Sequence, residues 1–439
     1  MSKPEAKIGL WTATFMVIAN MVGTGVFTSL GFQVVDIKSG FPIELLWVLG
    51  GIAALCGALT YGELGTALPR SGGEYHLLSR IVHPVAGFLS GWVSATVGFA
   101  APTALAAIAL ATYLSAVLTW IPVVHTAAFV VLLFTALHCW SIVWGSRFNN
   151  VLTSLKVILL LVFIVAAFRV EAAQDVTFLP RPGDFDLVLT PAFAVSLVYV
   201  AFAYTGWNAA IYIVGEMEDP RRHLPRALFT GTALVLFLYA LVNYAFMRTV
   251  PFDVLAGQIE VGYFSASRIF GETGGAIMAV IIALILTSTV SVMIFLGPRI
   301  VQVMGEDFPL LSKLSFRSAS GIPVYAILVQ SIITLAFIYT ATFQQVLLYA
   351  GFTLNLITAV TVAGVFVLRR SEPGIERPYR TWGYPWTPIV FLLLSGWSLT
   401  FMIIDRPQES LAGLLTLLAG LVIYVADYAR SRWLVTVKG

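Results

Sequence analysis

The sequence predicts an all-α, polytopic membrane protein: two inverted repeats of five helices each, followed by two additional helices. Three observations predict it. Apolar residues make up 59% of the 439 and charged residues only 11%, with a mean hydropathy of +0.91, where soluble domains carry about 25% charged residues. The apolar residues fall into twelve runs, each near or above the roughly 20 residues that a helix needs to cross a hydrocarbon core. The first and sixth runs are each interrupted at matching depth, and paired interruptions in two halves point to an inverted repeat with a binding site between them.

The runs cover residues 8–34, 42–68, 84–118, 122–144, 146–170, 189–217, 226–249, 272–304, 323–341, 344–369, 385–404 and 409–429. Residues 1–439 thus form a single transmembrane domain, with one repeat at 8–170, a second at 189–369, and two further helices at 385–429. Lys3 and Lys7 ahead of an apolar run resemble a secretory signal, but the run is too long and lacks a small-residue cleavage site, so it is read as span 1. With both termini in the cytoplasm, eighteen of the 25 lysines and arginines lie inside; six lie outside, and Lys156 falls within a span. The positive-inside rule fixes that orientation. Cys56 and Cys139 both fall in spans, so neither a disulfide-linked partner subunit nor a metal site is expected.

Span 1 carries Val22-Gly23-Thr24-Gly25-Val26-Phe27. Two glycines one residue apart weaken a helix where it can least tolerate a break. Backbone groups freed in hydrocarbon are tolerated only around protein or a polar cavity, and the half-helix beyond the break points unpaired N–H groups into it. That makes an anion site. A close helix–helix contact is the alternative, since small residues also let backbones approach; the second interruption weighs against it. Glu63, two turns from the cytoplasmic end of span 2, is expected to snorkel or pair with Arg70 or Arg80 in a structural role. The joint Leu68-Pro69-Arg70-Ser71-Gly72-Gly73-Glu74-Tyr75 combines a helix stop, a turn and a polar restart, and predicts a short cytoplasmic helix.

Pro102 is expected to kink span 3, and Trp120-Ile121-Pro122 links spans 3 and 4 outside. Span 5 begins near Gly145-Ser146-Arg147 and places Lys156 about 15 Å along its axis, at mid-membrane. The second interruption is Phe202-Ala203-Tyr204-Thr205-Gly206-Trp207-Asn208 in span 6, with a charged exit from Gly215-Glu216 to Arg222. Span 8 carries Thr287, Ser288, Thr289 and Ser291, hydroxyls that commonly satisfy their own helix. Span 10 contributes Tyr349, Gly351, Phe352 and Asn355 and leaves through a Pro-aromatic hinge, Glu376 to Pro385. Spans 11 and 12 read as scaffold or oligomer surface, of a monomer or a homodimer.

These residues resemble the amino acid-polyamine-organocation (APC) transporter superfamily, close to the bacterial relatives of the L-type amino acid transporters. The resemblance rests on Gly23 to Phe27, Pro69 with Ser71 to Tyr75, Gly91-Trp92, Phe202 to Asn208, Gly215-Glu216 with Asp219-Pro220, and Arg377-Pro378-Tyr379, nearly the whole chain. It implies the LeuT fold. It implies that amides around Thr24, Gly25 and Val26 hold a substrate carboxylate, and that carbonyls of Val22 and of Phe202, Ala203 and Tyr204 hold its ammonium, beside Gly23, Thr205 and Gly206. Phe202 matches an aromatic gate. Trp207 and Asn208 match residues that shape the second break.

Lys156 matches a lysine standing where sodium-coupled cousins bind an ion, bridging spans 1 and 8 with Ser288 or Ser291; sodium coupling is then disfavoured. Two roles stay open to it, a group that loads and releases a proton, giving symport, and a fixed charge, giving obligatory exchange. Relatives that favour cationic substrates can carry an acid just before the span 6 glycine, where this chain has Thr205. No acid is evident near mid-depth in spans 1, 3, 6, 8 or 10, so neutral amino acids are expected, in the cytoplasmic (inner) membrane. A polyamine or cationic amino acid carrier is the alternative, with Trp92, Phe99 and Tyr349 as possible cation-binding rings. A membrane sensor or enzyme is remote: no His-Glu-x-x-His, Gly-x-Ser-x-Gly or nucleotide-binding loop occurs, and of the five histidines only His138 lies well inside a span. No cofactor, metal or nucleic acid is expected.

Overall fold

The structure, a computed structural model, describes residues 8–140, 146–318 and 321–438, with the side chains of all but 146–154 and 431–438. Lys3, Lys7, the last residues assigned to span 4 (141–144) and Gly145 at the start of span 5 lie outside the described residues.

Helices form wherever the apolar runs predict them. Span 1 is two helices, α1 (Leu10–Met21) and α2 (Thr24–Asp36). Span 2 is α3 (Gly40–Ala67), and the joint after it forms the short α4 (Gly73–Ile81). Span 3 is α5 (Pro84–Val93), a π-helical turn over Ser94–Gly98, and α6 (Ala100–Ser115). Pro102 explains the turn: its ring has no N–H to give and excludes the carbonyl of Gly98 four residues earlier, so the chain widens there. Spans 4 and 5 are α7 (Val123–Trp140) and α8 (Ser146–Ala167).

After α9 (Asp184–Val188), span 6 is α10 (Pro191–Tyr204) and a 3-10 segment, Ala209–Glu216. Span 7 is α11 (Pro220–Thr249). The short α12 (Phe252–Leu255) precedes α13 (Val261–Asp307), whose helical path breaks at Gly271 (φ 76°, ψ 173°), so that span 8 begins where the sequence places it. Spans 9 to 12 are α14 (Val324–Thr340), α15 (Phe343–Ser371), α16 (Trp386–Asp405) and α17 (Pro407–Lys438). Among the described residues, ten helical stretches are long and apolar enough to cross a membrane, and Leu155–Ala167 and Val324–Thr340 are shorter apolar helices. These twelve occupy the twelve predicted runs.

The interior is knit by tyrosines, large apolar bodies whose hydroxyls reach backbone carbonyls. Tyr113 donates to Phe27 O (3.0 Å) and Tyr204 to Trp47 O (3.0 Å). Near the end of α2, the Phe32 ring stacks on Tyr199 and Phe343 at 5.8 and 5.7 Å. Near the end of α3, Glu63 is fully buried in an ion pair, as its structural reading requires, but its partners correct the expectation. They are Arg369, in two bonds of 2.8 and 2.7 Å, and Arg377 at 3.5 Å; Arg80 is taken by Glu372 at 2.5 Å. Arg377 also donates to carbonyls of Leu368 and Glu372, capping the end of α15.

Candidate substrate-binding site

The two breaks are real and they meet. Val22 closes α1 with its amide on Ile18 O and leaves helical geometry (φ −73°, ψ 86°); Gly23 follows at φ −134°, ψ −148°, and α2 restarts at Thr24 without a side-chain cap. In span 6, Thr205 turns out of α10 at φ −52°, ψ 138°, and Gly206 adopts φ +105°, a left-handed conformation that favours glycine. A side chain on Gly206 would also strike the Asn20 carbonyl at 2.8 Å, and one on Gly25 would stand 2.5 Å from Ala203 Cα. Glycine is therefore needed at both sites so that the breaks can lie backbone to backbone.

This arrangement sets opposite polarities side by side. The first turn of α2, with Thr24, Gly25 and Val26 buried, has N–H groups for which a helix offers no acceptor, and it carries the positive end of the helix dipole. At the end of α10, the Phe202 carbonyl accepts from Thr205 N (3.0 Å), and the Ala203 carbonyl accepts from Tyr239 Oη (3.3 Å). Tyr239, on α11, also donates to Met21 O at 2.6 Å, so one hydroxyl ties both breaks together. The sequence reading missed Tyr239; a lone hydroxyl within an apolar run was the available signal.

A cavity of about 70 Å³ adjoins the second break, bordered by α3, α10, α15 and α16. Phe202, Tyr204, Thr205 and Gly206 line it, with Asn208, Asn355, Thr358 and Ser395 as polar neighbours. Val22 to Val26 are not among its lining residues. Phe202 is 7% exposed. Trp92 Nε1 donates to Thr416 O and the Tyr349 hydroxyl bonds Thr416 Oγ1, so these two rings face α17.

Lys156 is buried at 4% exposure, and its ammonium donates to Thr289 Oγ1 at 3.3 Å, tying α8 to α13. Ser288, next to that threonine, is buried, and Ser291 Oγ lies 3.0 Å from His138 Nε2. Glu44, on α3, is also buried, and neither carboxylate oxygen has a hydrogen-bond partner among the described residues.

The joint before α4 proves to be a second point of contact with span 6. Gly72 and Gly73 take φ +134° and +58°, and a Cβ on Gly73 would collide with the Tyr212 ring at 2.2 Å. Ser71 Oγ accepts from Gly215 N (3.1 Å), and Glu74 Oε1 accepts from Tyr61 (2.5 Å), Asn208 (3.2 Å) and Thr358 (3.2 Å). Burial pushes the Glu74 carboxyl above the usual carboxylate range, against the opposing pull of those three donors.

The sequence profile of the amino acid permease family matches residues 8–426. Among curated proteins, the rabbit (Oryctolagus cuniculus) "Large neutral amino acids transporter small subunit 2" is 29% identical over 435 residues, covering 96% of this chain and 80% of that protein. The mouse (Mus musculus) "b(0,+)-type amino acid transporter 1" is 27% identical over 431 residues (96% and 87%). The mouse "Asc-type amino acid transporter 1" is 29% identical over 450 residues (96% and 81%).

Proposed function

Since this chain belongs to the amino acid permease family, we propose that it carries neutral amino acids across the cytoplasmic membrane by alternating access, without sodium, and by proton symport or exchange. The observation that carries this reading is the meeting of the two breaks. An α-amino acid presents a carboxylate and an ammonium on one carbon, and the start of α2 and the end of α10 offer backbone donors and acceptors a few ångströms apart. The proposed site comprises Val22, Gly23, Thr24, Gly25 and Val26 with Phe202, Ala203, Tyr204, Thr205 and Gly206, with Phe202 as the gate.

Thr205 ahead of Gly206 supports a neutral substrate, because a buried cationic side chain calls for an acidic partner. The name of the rabbit relative, which specifies large neutral amino acids, supports the same choice. Lys156, joined to Thr289, supplies a fixed or protonatable charge between α8 and α13 and is proposed as the coupling group with Ser288 and Ser291. The "small subunit" in that relative's name speaks of a partner for that protein. Cys56 and Cys139, both within helices, favour a carrier here that works without a disulfide-linked one. The distribution of lysine and arginine supports a cytoplasmic location for both termini.

The test is uptake of radiolabelled leucine into proteoliposomes under an inward proton gradient, with and without amino acid inside, for the parent and Lys156→Ala. Accumulation in empty vesicles, lost in the variant, establishes proton symport through Lys156. Uptake that requires internal amino acid and ignores pH establishes exchange. Uptake driven by putrescine gradients and indifferent to leucine overturns the neutral amino acid reading.

A further inference from the structure

Four separate parts of the chain converge on the Glu74 carboxyl group. It projects from α4 and accepts, on a single oxygen, from Tyr61 on α3, Asn208 in the second break and Thr358 on α15. The neighbouring residues of the same motif reinforce the tie: Ser71 holds the Gly215 amide, Gly73 abuts Tyr212, and Tyr75 donates to Asp307 at the end of α13 (2.6 Å). All three groups bonded to Glu74 are neutral donors. The titratable groups facing it are Tyr61 from α3 and Tyr212 from span 6, while α15 presents threonines. Two arginines at this end are engaged elsewhere: Arg80 pairs with Glu372 and Arg369 with Glu63.

We propose that Glu74 is a positioning residue for transport, a latch that holds the inner half of span 6 against α3 and α15 when ionised and slackens when it takes up a proton from the cytoplasmic side. This rests on the transporter reading above. Three donors aimed at one oxygen suit an anion, and hydrogen bonds to an ionised acceptor are about twice as strong as those to a neutral one. The ionised latch is therefore the tight one. For the inner half of span 6 to move relative to α3 and α15, the Asn208 bond must break, and adding a proton to the carboxylate weakens that bond without any new contact. Burial raises the carboxyl above the usual carboxylate range, in the direction that favours taking up the proton. Removing a donor removes stabilisation of the ionised form, so the midpoint of the switch moves to higher pH in Tyr61→Phe or Thr358→Val.

The experiment is leucine counterflow in proteoliposomes of defined orientation, with pH varied only on the cytoplasmic face, for the parent, Glu74→Gln, Tyr61→Phe and Thr358→Val. Infrared difference spectra of the same proteins, which read carboxyl protonation with or without transport, accompany it. The amide of Glu74→Gln still accepts the three bonds but cannot ionise. The expected result is faster counterflow on acidification in the parent, a flat profile at the acid rate in Glu74→Gln, and an upward-shifted midpoint in the other two variants. A protonated-carboxyl band should disappear in Glu74→Gln. A Glu74→Gln profile that rises with acid as the parent's does overturns the latch, as does a parent spectrum with no carboxyl titration lost in the variant. A parent that moves no amino acid yet shows the Glu74 band titrating overturns the transporter reading and leaves a titrating carboxyl without the assigned task.

Discussion

Gly25 has no room for a side chain: a methyl group there would lie 2.7 Å from the Ala203 Cβ and closer still to its backbone. Overpacking of this kind costs about 1–3 kcal/mol, and here the strain falls on the junction of the two breaks. Gly25→Ala is expected to reach the membrane and elute as a folded protein while losing leucine uptake, read by size-exclusion chromatography and transport side by side. Glu63 makes the opposite prediction. Its removal leaves Arg369 and Arg377 facing an uncompensated site, and breaking a buried pair costs about 3–5 kcal/mol, so Glu63→Ala should lower the melting temperature in detergent sharply. At this scale the sequence was partly readable. Gly23, Gly25 and Gly206 declared themselves because glycine at mid-membrane has few other uses, and Lys156 because a charge there has none. The partners of Glu63 were hidden, since Arg369 lies 306 residues away and nothing local distinguishes it from Arg70 or Arg80. Glu44 went unremarked because it sits near the start of α3, where a carboxylate looks exposed until the helices around it are in place.

Spans 1 and 6 touch through their backbones and are joined by the Tyr239 hydroxyl, so α11 holds the separation of the two breaks fixed. Tyr239→Phe removes those bonds and keeps the ring that packs edge-on against Trp47 at 5.6 Å. With a typical net value of about 0.5–1.5 kcal/mol per hydrogen bond, the fold should survive. KM for leucine should rise several-fold as the donor and acceptor sets drift apart, measured by uptake kinetics. Elements were the most readable level, because apolar runs of spanning length leave a helix as the only way to satisfy the backbone. The short α4 was legible in its stop, turn and restart. The π turn of span 3 was legible only as a kink: proline signals where a helix must yield, but the widened turn depends on what packs around it.

For the molecule as a whole, spans 1 and 6 are both broken helices, as a repeat of 8–170 in 189–369 would require, and the charge distribution makes a testable prediction of direction. Single cysteines introduced in the Asp175 to Asp184 loop should react with a membrane-impermeant maleimide on intact cells. Cysteines near Arg221 should react only after permeabilisation; the reverse pattern would invert the topology. Cys56 and Cys139 are half-buried in helices and provide a quiet background for such labelling. The overall fold was legible because the paired breaks tie two distant stretches to one architecture. The position of the cavity was not, since it depends on which face of span 6 the neighbouring helices leave open.

One modest contact carries further than its size. Ile8 N donates to Glu216 O at 2.9 Å and Glu218 N donates to Ile8 O at 3.0 Å, a single rung of parallel bridge between the start of span 1 and the exit of span 6. The start of one interrupted span and the exit of the other are thereby stitched hem to hem. A displacement of the first residues of span 1 is therefore carried directly to the exit of span 6, two stretches about 210 positions apart in the chain.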